Sequence, residues 1–367
     1  MLRKHLKRLQ SSSSESLILD GGTGEELFLR GVPDDRKIWS AKAIVDSQYH
    51  STLFDTHQSF IDAGSQAITT NSYGITPGVG FTDGEEVKRL VGISGEIARK
   101  AATKSSNPVL VLGSLGPLVE SYRADLIMKH DDGCVAYQYA VEGLHPYIDC
   151  YLAETMSCCE EACQALHAIS KYYSDHIKDE IVQHPVLVSF TLNSDGKARN
   201  GESVVDAMQK LIEYSHDKDV ELVGVLFNCC EPEAISKALD EIEKNQQFHK
   251  YLQHRPIQLI SSEKQQALED VSPKILLGAY ANRLTPVESD WTLESSEEAQ
   301  GMREDLSPVR YSEFVNRWHR RCRHTHHGLS NSNGIHSIDQ RVGIQLIGGC
   351  CGIGPQYISL LAKSLKE

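Results

Sequence analysis

Residues 222–229, LVGVLFNC, and residues 344–351, IQLIGGCC, are two apolar runs that each end at cysteine. Neither run alternates apolar with polar residues, which is typical of strands buried on both faces of a parallel sheet. In a closed parallel barrel, the carboxyl ends of all strands open onto one face. The sequence therefore predicts that Cys229, Cys350 and Cys351 meet at the mouth of such a barrel.

Apolar runs of the same kind recur along the chain and alternate with amphipathic stretches. Eight strands alternating with helices predict a single (β/α)8 barrel of the TIM type. An open doubly wound sheet is the alternative, but no GxGxxG motif follows the first strand. The predicted strands are 16–20, 67–71, 109–114, 151–155, 186–191, 222–228, 275–281 and 344–349, and the predicted helices include 51–64, 84–104, 201–218, 231–245 and 308–322.

The barrel is predicted to occupy residues 15–367 as one domain. Residues 1–14, MLRKHLKRLQSSSS, are basic and rich in serine. They predict a disordered tail, with an organelle-targeting stretch as the alternative. Two polar segments, 283–307 and 319–341, are predicted to be surface loops or partly disordered insertions.

The composition is that of a soluble globular protein, with 40% hydrophobic and 24% charged residues. The net charge of −13 argues against a large surface for nucleic acid, which needs a basic face. No apolar run reaches the roughly 18–20 residues that a membrane helix requires. Ten cysteines without regular disulfide spacing, and no secretory signal, predict a reducing compartment, and we expect the cytoplasm.

Three thiols at one barrel mouth favour a zinc site with an open position. Structural zinc sites usually close with four protein ligands and show CxxC pairs, which this sequence lacks. Three cysteines leave the fourth position for a substrate. Adjacent Cys350 and Cys351 can reach one ion only if the backbone turns sharply, and glycines with positive φ can provide that turn. The flanking glycines are Gly348, Gly349, Gly352 and Gly354.

Other interpretations of the cysteines remain open. The three thiols could be small buried hydrophobic side chains, which is a common environment for cysteine. Cys230 competes with Cys229 as a ligand, and we prefer Cys229 because it stands at the strand end. Two further groups contain metal-ligating residue types but lie in a predicted helix and in a predicted insertion, respectively. They are Cys158, Cys159 and Cys163, and His319, Cys322, His324, His326 and His327.

The motifs resemble those of the zinc-dependent homocysteine S-methyltransferase family. The resemblance spans nearly the whole chain, and the NC and GGCCG motifs are its most specific parts. It implies a (β/α)8 barrel in which Cys229, Cys350 and Cys351 hold Zn²⁺. The matching segments are DGGTGEEL (20–27), IWSAKA (38–43), FIDAGSQAITTNSYG (60–74), VLGSLGP (111–117), AETMSCCEEA (153–162), VSFTL (188–192), LFNCCEPEAI (226–235) and QLIGGCCGIGPQYI (345–358).

The same resemblance implies that Asp20, Gly21 and Glu154 bind the amino-acid end of homocysteine. A carboxylate at a strand end can pair with an ammonium group. Trp39 and Tyr73 follow the first two predicted strands and are candidates for the methyl-donor pocket, because aromatic faces attract cations such as a sulfonium. Packing of both rings within their loops is the alternative.

The expected reaction is methyl transfer to the sulfur of homocysteine, as in an S-methyltransferase of class EC 2.1.1. Zinc favours the thiolate, which attacks the methyl group of S-methylmethionine or S-adenosylmethionine and gives methionine. Betaine is the less apt donor, because that branch carries a long C-terminal extension and this sequence ends soon after Cys351. Selenocysteine or another small thiol as acceptor, and a non-catalytic zinc-binding barrel, are the alternatives. We expect a monomer or small homo-oligomer with no nucleic-acid or membrane partner.

Overall fold

In the computed structural model, the described residues form eight parallel strands in one sheet. The described residues are 9, 15–35, 37–176, 181–245, 247–252, 275–286, 301–321 and 343–366. The strands are β1 (Leu17–Ile18), β2 (Ala67–Thr69), β3 (Leu110–Leu115), β4 (Cys150–Met156), β5 (Val186–Phe190), β6 (Leu222–Asn228), β7 (Leu276–Tyr280) and β8 (Leu346–Ile347). They follow one another in the order β1-β8-β7-β6-β5-β4-β3-β2, and every hydrogen-bonded pair is parallel.

Helices separate the strands in the chain, as the predicted (β/α)8 barrel requires. The sequential strand order confirms that prediction, because a doubly wound sheet would reverse direction at a switch point. No helix among the described residues is long and apolar enough to cross a bilayer. The helices are α1 (Thr23–Leu29), α2 (Lys42–Val45), α3 (His50–Ala63), α4 (Gly84–Lys104), α5 (His130–Leu144), α6 (Cys159–Asp175), α7 (Val204–Asp217), α8 (Pro232–Lys244), α9 (Pro308–Arg320) and α10 (Pro355–Ser364).

The seam between β1 and β2 is bridged by individual hydrogen bonds rather than by a ladder. The backbone N–H of Gln66 donates to the carbonyl oxygen of Ile18 at 2.7 Å. Further along the seam, the carboxylate of Asp20 accepts from the backbone N–H of Thr69 at 2.7 Å. The Asp20 side chain thus takes the place of a backbone acceptor at the barrel mouth. Because these bonds join β1 to β2, the barrel is nearly closed.

The strands are apolar throughout because each face of the sheet is buried against a different part of the core. Along β3, Val111 belongs to the large cluster between the sheet and the helices. The residues on either side of it in the strand, Leu110 and Leu112, belong to a second cluster that fills the barrel interior. This arrangement explains why the strands show no alternation of polar and apolar residues. The interior cluster includes Leu17, Leu19, Leu110, Leu112, Leu152, Leu187, Leu226, Leu276 and Leu346.

The predicted N-terminal tail and polar insertions fall mainly outside the described residues. Of residues 1–14 only Leu9 is described. It is buried, and its carbonyl oxygen accepts a hydrogen bond from Nε2 of Gln345 at 2.7 Å. Residues 287–300 of the first insertion and residues 322–341 of the second lie outside the described part of the chain. The division into tail, barrel and insertions therefore stays a prediction.

His57 on α3 makes the stability of the fold sensitive to acid. Its ring is fully buried, and burial lowers its pKa to about 4 from the ordinary 6.5. Below pH 6.5 the unfolded chain binds a proton at this ring that the folded chain rejects, so stability falls as the pH falls toward 4. Between pH 7 and pH 5 this ring is expected to cost about 2 kcal/mol.

Urea unfolding at the two pH values measures this effect. A His57→Leu variant is expected to lose about 2 kcal/mol less stability than the unsubstituted protein over the same interval. An equal loss in both proteins would show that His57 does not contribute to the acid sensitivity.

Candidate metal centre and substrate cavity

The three predicted cysteine ligands lie together at the carboxyl ends of β6 and β8. Cys229 follows β6 directly, and Cys350 and Cys351 follow β8 after two glycines. The Sγ atoms of Cys229 and Cys351 are 4.0 Å apart, and those of Cys350 and Cys351 are 3.9 Å apart. All three Sγ atoms lie within 4.8 Å of one another. The barrel thus brings together thiols that are as many as 122 positions apart in sequence.

The segment after β7 holds both cysteine-bearing segments in place, because β7 lies between β6 and β8 in the sheet. The backbone N–H of Asn282 donates to the carbonyl of Cys230 at 3.1 Å, and that of Arg283 donates to the carbonyl of Cys351 at 2.8 Å. In return, the N–H of Cys350 donates to the carbonyl of Ala281 at 2.9 Å. One short stretch of backbone therefore sets the position of both segments.

The glycines around the cysteine pair act in two ways. Gly352 has a φ of 76°, as the predicted sharp turn requires, whereas the other three predicted turn glycines do not have positive φ. A Cβ atom on Gly349 would lie 2.1 Å from the side chain of Ile353, and one on Gly348 would lie 2.7 Å from Cβ of Leu19. The expectation of positive φ is thus correct at Gly352, while Gly348 and Gly349 allow close packing.

The pKa values of the three thiols are shifted in different directions. The pKa of Cys229 lies well below its ordinary value, because the Cys350 and Cys351 thiols donate hydrogen bonds to its sulfur. The Tyr122 hydroxyl, whose oxygen lies 2.9 Å from that sulfur, adds to this effect. The pKa values of Cys350 and Cys351 are raised, chiefly by their interaction with Cys229. Among the three thiols, Cys229 is therefore the one that ionises most readily.

The geometry and chemistry of these donors fit a zinc ion. Four sulfur atoms bound tetrahedrally at about 2.3 Å lie about 3.8 Å from one another. Two of the observed Sγ separations, 3.9 and 4.0 Å, are close to this value. Thiolates are also the ligands that zinc and other soft or borderline ions prefer. Three donors at a cavity leave one coordination position for a further ligand.

The thiols form one end of a cavity of about 270 Å³ at the barrel mouth. Four carboxylates line it, and none of the described lining residues is a lysine or an arginine. Because negative groups in a partly buried cleft focus their field, the cavity attracts cations. The lining carboxylates are Asp20, Glu25, Asp34 and Glu154.

Asp20 lies at the end of β1 and is buried in the cavity wall. Its carboxylate accepts from the N–H of Thr69 at 2.7 Å and from the Thr69 hydroxyl at 2.9 Å. Burial nevertheless raises its pKa to about 7. The neighbouring Gly21 also lines the cavity, and a Cβ there would lie 2.1 Å from the carbonyl oxygen of Ile353. A glycine is therefore required for the backbone to pack at this edge.

Glu154 extends from β4 into the same cavity. The Ser114 hydroxyl donates to one oxygen at 2.5 Å, and the Tyr280 hydroxyl donates to the other at 3.1 Å. Burial raises the pKa of Glu154 to about 7 in spite of these bonds. Negative charge on Asp20 and Glu154 is therefore costly in the free protein, and a bound cation would relieve that cost. Sequence reasoning did not identify Ser114 and Tyr280 as partners of Glu154.

Trp39 and Tyr73 both line the cavity, as candidates for a donor pocket should. Their rings are stacked, with centroids 6.4 Å apart and planes inclined by 23°. The hydroxyl of Tyr73 lies 2.7 Å from Oγ of Ser121, which fixes the position of its ring. The two aromatic faces and the nearby carboxylates form a surface that suits a cationic ligand.

Tyr122 is a site residue that sequence reasoning missed. It lies in the long connection between β3 and α5, and its hydroxyl contacts the sulfur of Cys229. The guanidinium of Arg199 lies over its ring, 4.7 Å from the centroid. No motif marks this tyrosine, because its approach to the thiols depends on the path of a loop.

Unfavourable backbone conformations cluster at this site. In the described part of the chain, five non-glycine residues have positive φ, and four of them line the cavity. Such conformations cost about 1–3 kcal/mol each and persist where surrounding structure enforces them. The conformation of Thr155, for example, is held by the Asn228 side chain, whose Oδ1 accepts a hydrogen bond from the Thr155 N–H at 3.0 Å. The four cavity residues are Trp39, Tyr122, Thr155 and Cys229.

The competing cysteine and histidine candidates do not belong to the trio of thiols. Cys230 is buried outside the trio, and burial raises its pKa to about 12. Cys159 and Cys163 lie in α6 with their Sγ atoms 3.9 Å apart. His319 is buried at the end of α9, where its Nδ1 lies 2.9 Å from the carbonyl oxygen of Ile344. The remaining members of the histidine-rich group lie outside the described residues.

Comparison with protein families matches residues 17–365 to the model of the family described as homocysteine S-methyltransferase. Among individual proteins, the chain is 29% identical over 243 residues to a homocysteine S-methyltransferase of Escherichia coli strain K12, covering 62% of this chain and 73% of that protein. It is 26% identical over 253 residues to a selenocysteine methyltransferase of Astragalus bisulcatus, covering 61% of this chain and 71% of the relative.

Solved structures show the same fold. The metallated form of the homocysteine methyltransferase MmuM from Escherichia coli superposes with a TM-score of 0.63 at 21% identity, covering 98% of each chain. The oxidized form of MmuM gives a TM-score of 0.64 at 23% identity, covering 97% of each chain. These likenesses extend over the whole barrel.

Proposed function

The chain belongs to the homocysteine S-methyltransferase family, and from that premise we propose that it transfers a methyl group from a sulfonium donor to homocysteine at a zinc centre held by Cys229, Cys350 and Cys351. The observation that carries the proposal is the single cavity that joins three clustered thiols to four carboxylates without any lysine or arginine among its described lining residues. A zinc ion, an amino-acid ammonium group and a sulfonium are all cations. The cavity therefore offers complementary groups to each component of the reaction.

Cys229, Cys350 and Cys351 would hold the metal at the end of the cavity that the three thiols line. When bound there, zinc supplies positive charge that favours the ionised form of the homocysteine sulfur. The hydrogen bonds from the segment after β7 keep the three sulfur atoms in a fixed arrangement. Preorganised ligands reduce the reorganisation needed when the substrate binds.

Asp20 and Glu154 bind and orient the amino-acid end of homocysteine. Each carboxylate accepts hydrogen bonds from donors on other strands, so it presents its charge in one direction. Pairing with the substrate ammonium compensates the cost of burying these charges. This orientation leaves the sulfur end of the short substrate directed toward the thiols.

The reaction needs no group that removes a proton from carbon. Homocysteine releases its thiol proton to solvent, and its sulfur forms a bond to the donor methyl carbon. The bond from that carbon to the sulfonium sulfur breaks, and the donor leaves as a neutral thioether. Because the chemistry is a direct displacement, alignment of the two sulfur atoms supplies much of the rate enhancement.

Trp39 and Tyr73 stabilise the cationic donor beside the reacting sulfur. Replacing Trp39 by alanine is expected to raise the donor KM by about 2- to 30-fold, because a cation over an aromatic face gains about 0.5–2 kcal/mol. A Trp39→Phe variant keeps an aromatic face and should show a smaller rise. Steady-state kinetics with homocysteine at saturation measure both effects. An unchanged donor KM in Trp39→Ala would remove this residue from the donor pocket.

The identities of donor and acceptor are tested by direct assay. Purified, zinc-loaded protein is incubated with homocysteine and, in parallel, S-methylmethionine, S-adenosylmethionine or betaine, and methionine is quantified. We expect turnover with a sulfonium donor and none with betaine. A second series compares homocysteine with selenocysteine as acceptor, because one curated relative is a selenocysteine methyltransferase. Preference for betaine, or no transfer to any acceptor, would contradict the proposal.

A further inference from the structure

A second group of metal-ligating side chains lies on the outer helical layer, where α5 packs against α6. His130 and Cys134 are four residues apart on α5, and Cys159, Cys163 and His167 follow one another at intervals of four on α6. Residues four apart lie on the same face of a helix. Each helix therefore presents a stripe of sulfur and imidazole groups.

The two stripes meet at His130, Cys134 and His167. Nε2 of His130 lies 3.1 Å from Nδ1 of His167. One ligand atom from each of the three side chains lies within 4.8 Å of the other two. Among the described residues, this is the only such group of three besides the barrel thiols.

We propose that His130, Cys134 and His167 bind a second transition-metal ion of the zinc class, which joins α5 to α6. Two imidazole nitrogens bound tetrahedrally at 2.0–2.1 Å lie about 3.3 Å apart, close to the separation of the two histidine nitrogens. Imidazole and thiolate together select zinc and similar borderline ions over calcium or magnesium. This site is independent of the proposed methyl transfer.

The proposed site combines a buried ligand, Cys134, with an exposed ligand, His130, that solvent can reach. Cys134 is buried, whereas His130 is exposed and borders a surface cavity of about 470 Å³. Next to Cys134, a Cβ on Gly133 would lie 2.1 Å from Oε1 of Gln164, so a glycine is needed for the helices to approach this closely. An ion can therefore enter from solvent and take a water molecule or a further side chain as its fourth ligand.

The protonation states set the conditions for binding. Partial burial is the main cause of a lowered pKa for His167, which favours the neutral ring with a free lone pair. Burial raises the pKa of Cys134 to about 11, so a metal ion must displace the thiol proton. Without a metal ion, a hydrogen bond joins Nε2 of His130 to Nδ1 of His167. Measuring zinc binding distinguishes this hydrogen-bonded pair from a metal site.

The test begins with a full-length Cys229→Ser/Cys350→Ser/Cys351→Ser variant stripped of metal. It is expected to bind one equivalent of Zn²⁺, with a higher unfolding temperature on zinc addition. With Co²⁺ as the probe, it is expected to show a sulfur-to-cobalt charge-transfer band that disappears on further replacement of Cys134 by serine. Adding His167→Ala should weaken binding more than about 100-fold, whereas His216→Ala, at an exposed histidine on α7, should not.

Two results would overturn the proposal. One is that the triple variant, shown by circular dichroism to be folded, binds neither Zn²⁺ nor Co²⁺. The other is that its affinity is unchanged by His167→Ala. A parallel measurement avoids any folding defect of the triple variant. The unsubstituted protein is expected to bind two zinc equivalents and the His167→Ala protein one, with methyl transfer unchanged, and equal zinc contents would likewise contradict the second site.

Discussion

Replacing Cys350 by serine is expected to abolish zinc binding at the barrel mouth and to lower kcat/KM for methyl transfer by at least about a thousandfold. A hydroxyl is a poor substitute for a thiolate as a ligand of zinc. Without the ion, a thiol with a pKa near 8.5 is ionised only to a few per cent at pH 7, which accounts for about a thirtyfold loss. The remainder arises because the reacting sulfur is no longer held in position.

The measurement combines zinc content by mass spectrometry with steady-state kinetics. Cys230→Ser is the matched control, because Cys230 is also a buried thiol near the site but does not belong to the trio. It is expected to retain zinc and most of the activity. Full zinc content and full activity in Cys350→Ser would show that the trio is not the metal site.

Replacing Glu154 by glutamine is expected to raise the KM for homocysteine by about 30- to 5,000-fold. Loss of one partner from a buried, hydrogen-bonded charge pair costs about 2–5 kcal/mol, which corresponds to this range. The substitution preserves the size of the side chain and one acceptor for the hydroxyls of Ser114 and Tyr280. The effect is therefore expected on substrate binding more than on kcat with saturating homocysteine.

The same substitution is expected to stabilise the free protein. Burial raises the pKa of Glu154 from 4.5 to about 7, so the carboxylate costs stability as the pH rises through this interval. Glutamine avoids that cost, and at pH 8 the free energy of unfolding should increase by about 1–3 kcal/mol. Higher stability together with weaker substrate binding would identify Glu154 as a binding residue maintained at the expense of the fold.

Glu161→Gln is the control for both measurements. Glu161 is also buried, with a pKa of about 7, but its carboxylate accepts from the N–H and hydroxyl of Ser157 and does not line the cavity. It is expected to leave the homocysteine KM unchanged. Equal effects of Glu154→Gln and Glu161→Gln on this KM would contradict a direct role for Glu154.

The barrel itself was predictable because its strands are buried on both faces. The apolar runs and the amphipathic stretches between them appear as strands and helices at nearly the predicted bounds, and the predicted helix 84–104 coincides with α4. The juxtaposition of the two cysteine segments follows from the same prediction, since parallel strands end on one face. Local periodicity and the topology of a parallel barrel were therefore sufficient to predict the strands, the helices and the juxtaposition of the cysteine segments.

The contacts that complete the cavity were not predictable in the same way. Tyr122 reaches Cys229 through a long loop whose path no local pattern specifies. Tyr280 and Ser114 belong to other strands, and their hydrogen bonds to Glu154 depend on the register around the barrel. The glycine pair before Cys350 was interpreted through backbone freedom, whereas close packing is what requires it.

X-ray absorption at the zinc edge tests the central claim, that three cysteines hold a zinc ion whose open position receives the homocysteine sulfur. The His167→Ala protein is used so that signal comes from the barrel mouth alone. We expect three sulfur atoms at about 2.3 Å and one lighter atom before substrate is added, and four sulfur atoms after homocysteine binds. Fewer than three sulfur ligands, or a coordination shell that homocysteine leaves unchanged, would contradict the claim.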